Sequence, residues 1–205
     1  MSGKYETKAA RWTEDEYADA YAYLEHRAHL VVELGPRLDP GDRVCDLACG
    51  DGGFGEHLLG RGLEYLGVDV SESMVESARR RLGDRAEVAQ ADLNEFVPAG
   101  PVAAVTCFRA IYYGRDRRAF FRHVAGFAER KLVFDLNPRQ FALEDVVVDL
   151  RAAGFPRVDL RPFFVPQRVA LPGALAAAAR AAERSGPLAR LALRFRFTYL
   201  VAAAR

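Results

Sequence analysis

An α/β fold built on a doubly wound parallel sheet is what this sequence predicts, and three observations predict it. Short β-rich runs alternate with helical stretches from Arg43 to Gly154, the rhythm of parallel strands joined by crossover helices. A glycine-rich turn, G-D-G-G-F-G from Gly50, follows the first such run, where a strand would pass into a helix. Glycines also close two helical stretches, Gly83 after "SARRRL" and Gly154 after "LRAA", with Pro156 just beyond, as helix C-termini favour.

Taken in order, "TEDE" at residues 13–16 reads as a capping box, with Thr13 bonding an amide three residues on and Glu16 reaching back. A helix is expected from there to Gly35-Pro36, so residues 1–40 form an N-terminal helical cap. Strand 43–47, helix 54–59, strand 65–69 and helix 72–82 follow. Strands 86–91 and 102–108, helix 117–128, strand 132–135 and helix 140–153 continue the alternation. The end departs from it: strands at 157–164 and 195–203 are joined by an insertion, 165–194, whose alanine-rich segment 173–185 is strongly helix-forming.

At 205 residues, 50% hydrophobic and 28% charged, the chain can bury one good core, and a single domain over 1–205 is expected. The net charge of +1 argues against a wholly basic nucleic-acid binder. The basic excess is confined to residues 165–205, seven Arg against Glu183, and lacks interleaved aromatics on most of that length, so no nucleic-acid partner is expected. No apolar run approaches the roughly 18 residues of a membrane span, and the N-terminus lacks a signal-peptide core. A cytoplasmic setting without membrane insertion is expected. Cys45, Cys49 and Cys107 form no C-x-x-C pair, and small apolar fillers at strand ends are the reading; no metal is expected.

The glycine turn admits two cofactors. From Gly50 it satisfies the dinucleotide fingerprint G-x-G-x-x-G; from Asp46 it reads D-L-A-C-G-D-G, close to a loop that holds S-adenosylmethionine. Asp69, 19 residues after Gly50, could take ribose hydroxyls in either case. Charge separates them. A pyrophosphate here would face Asp46 and Asp51, each repulsion being about 3 kcal/mol at ~5 Å and an effective dielectric of ~20. A sulfonium with an ammonium has the opposite requirement. Asp92, ending the third strand, is a third acid at a successive strand end, placed to accept from an adenine amino group.

On these residues the chain resembles the class I S-adenosylmethionine-dependent methyltransferases, from about Trp12 to Ala203. "VCDLACGDGGFGEHLL", "YLGVDVSESMVESARRR", "AEVAQADLNEF", "VAAVTCFRAIYY" and "LRAAGF" carry the likeness. It implies a Rossmann-like seven-stranded sheet, mostly parallel, with an antiparallel last strand. It also implies S-adenosyl-L-methionine as cofactor, with Asp46 and Gly50 at its methionine part, Asp69 at the ribose, Met74 on one adenine face, Asp92 and Leu93 at the adenine edge, Phe108 on the methionyl side, and Ala48 and Val70 also in the cofactor site. Ala48 stands where the family has glycine.

A methyl on a sulfonium needs alignment and exclusion of water more than a base. The acceptor-side candidates are Arg109, to orient an anionic substrate, with Tyr112 and Tyr113 as pocket walls. Tyr17 and Tyr21 are read as closing over the site or as a core stripe, and Asn137 and Arg139 in "DLNPR" as loop or rim residues. The insertion is expected to cover the acceptor pocket, with Leu171, Leu175, Leu188, Leu191 and Leu193 inward and Arg168, Arg180, Arg184, Arg190 and Arg194 solvated. The expected function is methyl transfer to a small molecule; the alternative is a non-catalytic S-adenosylmethionine-binding module.

Overall fold

The structure, a computed structural model, describes residues 11–195 and 198–205, with the side chains at 190 and 192–195 outside that description. Seven strands form one sheet in the order β3-β2-β1-β4-β5-β7-β6. They are β1 (Arg43–Leu47), β2 (Glu64–Asp69), β3 (Glu87–Gln90), β4 (Val102–Cys107), β5 (Ala128–Leu136), β6 (Arg157–Pro162) and β7 (Tyr199–Ala204). The first five run parallel, and β7 is antiparallel to both β5 and β6. The sheet is therefore mixed in the sense the sequence implies.

Strands β4 and β7, "VAAVTC" and "YLVAAA", are buried along their whole length, which suits continuous apolar runs covered on both faces. Alternation divides β5 between layers: Leu132 and Phe134 join one apolar cluster and Val133 the other, as successive residues on a strand must. Eight α-helices are described: α1 (Trp12–Glu16), α2 (Ala20–Glu33), α3 (Gly53–Leu59), α4 (Glu72–Leu82), α5 (Arg117–Ala125), α6 (Leu143–Ala152), α7 (Gly173–Arg184) and α8 (Gly186–Phe195). The chain builds β1, β2 and β3 outward on one side, then returns to place β4 on the other side of β1. That reversal opens a crevice at the carboxyl ends of β1 and β4.

Two expectations fail. The N-terminal helix is broken: Tyr17 is extended (φ −122°, ψ 132°), and α2 restarts with the Asp19 carboxylate accepting from the Ala22 N–H at 2.9 Å. Thr13 lies inside α1 and caps nothing, because its N–H and hydroxyl both donate to Asp51 far along the chain. Long-range partners outcompete the local capping box.

The helices of the insertion do not line the cleft among the described residues; of the segment 165–194 only Arg168 does. The insertion folds as two helices, of which α8 had no counterpart in the sequence reading, and both pack against the edge strand β6. The Glu183 carboxylate anchors α7, pairing with His26 of α2 at 2.6 Å and accepting from the Phe164 N–H. Leu175, Leu188 and Leu191, expected to face inward, are exposed, whereas Ala176 and Glu183 are the buried residues of α7. The side chains of Arg190, Leu193 and Arg194 lie outside the described residues. The last strand begins at Tyr199; the earlier start expected for it runs through the undescribed residues 196–197.

Candidate active site

A cleft of 1210 Å3 opens at the carboxyl edge of the sheet, roomier than the roughly 300–1,000 Å3 typical of a one-ligand pocket. It gathers all twelve residues singled out from the sequence: Asp46, Ala48, Gly50, Asp69, Val70, Met74, Asp92, Leu93, Phe108, Arg109, Tyr112 and Tyr113. What lies across it is α1 and the turn after it, with Trp12, Thr13, Glu16 and Tyr17 in the lining. Tyr21 points elsewhere, largely exposed against His57. Asn137 and Arg139 form a local turn after β5, the Asn137 side chain accepting from the Arg139 N–H.

The loop after β1 makes a tight reversal, with Ala48, Gly50 and Gly52 all at positive φ (64°, 58° and 78°). Two of its amides already donate to carboxylates. The Gly50 N–H donates to Asp69 Oδ2 at 2.9 Å, and the Gly53 N–H, at the start of α3, to Asp51 Oδ1 at 3.3 Å. Two glycines serve packing rather than ligand approach: a Cβ on Gly53 would meet Thr13 Oγ1 at 2.2 Å, and one on Gly55 the Tyr65 ring at 2.7 Å. The Tyr65 hydroxyl in turn donates to Asp46 Oδ2 at 2.8 Å, while Thr106 Oγ1 donates to Asp46 Oδ1 at 2.6 Å. Burial pushes the Asp46 carboxyl up to about 6, although both hydrogen bonds favour its ionised form.

Asp51 differs from its sequence reading. Its buried carboxylate accepts from Thr13 (N–H 3.0 Å, Oγ1 2.5 Å) and pairs with Arg81 at 2.9 Å, so its charge is answered locally and turned toward α1. Arg81 also holds Glu14 and Glu56, which leaves the surroundings of the loop net acidic. Asp69 keeps Ser71 N–H as a second donor at 2.9 Å, and burial raises its pKa. Asp92 accepts from Asn94 (N–H 2.8 Å, Nδ2 2.7 Å) and pairs with Arg115 at 2.7 Å; hydrogen bonds from Asn94 outweigh burial and hold its pKa low. Met74 and Leu93 are buried apolar walls between these acids.

At the other end of the cleft, Arg109 reaches Glu16 at 3.0 Å and lies over the Trp12 ring at 5.8 Å. Its backbone is left-handed (φ 56°), with its N–H donating to Asp135 Oδ1 at 2.7 Å. Tyr112 and Tyr113 stand together at the rim, ring centroids 4.4 Å apart. Sequence reasoning missed Arg27, which is buried in the cleft wall between the Tyr23 and Phe108 rings, 4.8 and 4.4 Å from their centroids. A signal was there: an arginine in the middle of the apolar helical run "YLEHRAHLVV" is rarely buried without a task. Trp12, Glu16 and Arg168 were invisible as site residues because only tertiary folding brings them to the sheet edge. Cys45, Cys49 and Cys107 are free and buried, the Cys45 thiol pushed up to about 12 by burial.

Comparison with known proteins bears on this cleft. Residues 44–130 match the family model of a methyltransferase domain. Over 108 residues the chain is 29% identical to a dTDP-3-amino-3,4,6-trideoxy-alpha-D-glucopyranose N,N-dimethyltransferase of Streptomyces venezuelae, covering 52% of this chain and 45% of that protein. It is 27% identical over 115 residues to a Methanocaldococcus jannaschii protein provisionally named a ribosomal RNA large subunit methyltransferase, covering 51% of this chain and 30% of that one. The chain thus spans less than half the length of these curated relatives. A TehB-like SAM-dependent methyltransferase structure from Corynebacterium glutamicum superposes with a TM-score of 0.63 at 17% identity, over 98% of both chains. No described helix is long and apolar enough to cross a membrane.

Proposed function

We propose that this chain, a class I S-adenosylmethionine-dependent methyltransferase by its fold and its methyltransferase domain, transfers a methyl group to a small-molecule acceptor in the cytoplasm. One observation carries the cofactor assignment: the loop amides a pyrophosphate would need, Gly50 N–H and Gly53 N–H, are taken by the chain's own carboxylates. A pyrophosphate would meet carboxylates at both of these amides and an unfavourable charge. A cationic, phosphate-free ligand fits the same acids.

The cofactor supplies a methyl group on a sulfonium, already attached to a good leaving group. The chain's own residues bind, orient and exclude water. Asp69 uses one lone pair of each oxygen for Gly50 and Ser71, leaving capacity for ribose hydroxyls. Met74 and Leu93 offer apolar surface to a purine, and Asp92 with Asn94 offers polar groups at its edge. Asp46, pinned by Tyr65 and Thr106, presents a fixed negative field to the methionine part. Phe54 and Phe108, edge to face at 5.2 Å, and Trp12 on α1 screen the centre from water.

The small-molecule reading draws support from α1, whose Trp12, Thr13 and Glu16 line the cleft beside the sheet edge and narrow the approach to it. Three unpaired cysteines suit a reducing compartment. The test is incubation with methyl-labelled cofactor in two arms, a small-metabolite extract and total RNA. Label in a small molecule, dependent on the protein, is expected. Label in RNA would overturn the acceptor class, and binding without transfer in either arm would favour the non-catalytic module.

A further inference from the structure

At the acceptor end of the cleft, three donors from two distant segments converge on one oxygen. Arg109 Nη2, Arg168 Nη2 and Gln167 Nε2 lie 3.0, 3.3 and 3.4 Å from Glu16 Oε2. The two guanidinium groups line the cleft. Two positive charges thus face one carboxylate, and a unit of positive charge remains over. Glu16 rides on α1, a five-residue helix too short to hold itself in place and held by tertiary contacts, these and the bonds from Thr13 to Asp51. Paired guanidinium groups with an amide are the donor set that carboxylate and phosphate recognition uses.

Two further observations point the same way. Arg109 occupies a left-handed backbone conformation (φ 56°), fixed by Asp135; a non-glycine residue in that region marks a position whose side-chain direction is specified by its surroundings. Deeper in the same cleft, the guanidinium of Arg27 is buried, its Nε has no hydrogen-bond partner, and among the described residues it forms no ion pair; Asp135 meets its charge from beyond ion-pair distance. A buried cation with one spare donor adds positive charge to the wall of the cleft, where Asp46 and Asp135 partly answer it.

We propose that the methyl acceptor is a small molecule bearing a carboxylate or phosphate, received between Arg109 and Arg168 at the place that Glu16 Oε2 holds in its absence. This rests on the methyltransferase reading for the identity of the cleft. Glu16 is then an internal stand-in for the anionic group of the acceptor.

The test uses benzoate, phenyl phosphate and the neutral isostere benzamide as probes, titrated calorimetrically with S-adenosylhomocysteine saturating, so that the cofactor's own carboxylate already has its place. Benzoate or phenyl phosphate should bind and benzamide should not; the stronger of the two anions identifies the headgroup. Glu16→Gln should raise anion affinity about tenfold by removing the internal competitor, and Arg168→Gln should lower it about tenfold. S-adenosylhomocysteine affinity should move less than about twofold in both variants. Arg168 is largely exposed, so its variant decides the matter if Glu16→Gln unfolds. Equal binding of benzoate and benzamide, anion affinity unchanged in both variants, or loss of anion binding once the cofactor product is present would each overturn the inference. Failure of S-adenosylhomocysteine to bind would instead overturn the methyltransferase reading, and the anion arms run without it would still decide this one.

Discussion

Gly53→Ala tests how the N-terminal helix is fastened over the cleft. The new Cβ would sit 2.2 Å from Thr13 Oγ1, 2.9 Å from Cγ2 and 3.0 Å from Cβ, so no rotamer of Thr13 relieves the clash and α1 must move. Moving it breaks the N–H and O–H bonds from Thr13 to Asp51, each a bond to a charged acceptor worth about 1.5–3 kcal/mol. Asp51 keeps Arg81 and Gly53 as partners and gains water, so the net loss is about 2–4 kcal/mol. Urea denaturation reads the global part, and limited proteolysis around residues 11–19 reads the release of α1. Thr13→Gly removes all three clashing atoms while keeping the N–H, so on that background Gly53→Ala should cost less than about 1 kcal/mol. Additive losses in this double-mutant cycle, or a Gly53→Ala protein within about 0.5 kcal/mol of wild type, would refute the fastening.

Three other outcomes follow from the site. Because burial lifts Asp46 to about 6 from an ordinary 3.8, the folded protein holds a proton that the unfolded chain has released between those values. Stability should therefore fall by about 3 kcal/mol as pH rises from ~4 to ~6, while S-adenosylmethionine binding, which favours the carboxylate, should strengthen about tenfold from pH 5 to 7; calorimetry of Asp46→Asn should show that dependence flattened. Ala48→Gly removes a left-handed alanine (φ 64°) costing about 1–2 kcal/mol, offset by about 0.5–1 kcal/mol of chain entropy. Its urea midpoint should rise slightly, and a loss above about 1 kcal/mol would show that the methyl makes a needed contact. Asp69→Ala should weaken cofactor binding by about 1.5–3 kcal/mol through lost ribose hydrogen bonds, and an unchanged titration curve would remove Asp69 from the site.

Much of this was legible in the sequence because it is written in local pattern. Strand β1 and helix α4 fall at the bounds their apolar periodicity and the stop at Gly83 specify, and the acids at successive strand ends reach one cleft because parallel strands share their carboxyl edge. The loop charge is less simple than the sequence suggests: Asp51 is answered by Arg81, and carboxylates occupy the Gly50 and Gly53 amides. What could not be read was long-range. Thr13 and Glu16 have the spacing of a capping box, but their partners lie 38 and 93 residues away. The leucines of α7 and α8 looked like an inward stripe, yet the inward anchor is Glu183, whose partner His26 sits 157 residues earlier.

The cofactor assignment is tested most directly by titrating the protein with S-adenosylhomocysteine and, separately, with reduced nicotinamide adenine dinucleotide, following heat at pH 7. The arrangement of Asp46, Asp51 and Asp69 around the Gly50–Gly53 amides predicts saturable binding of S-adenosylhomocysteine and none of the dinucleotide at the same concentrations. Tighter binding of the dinucleotide would contradict it.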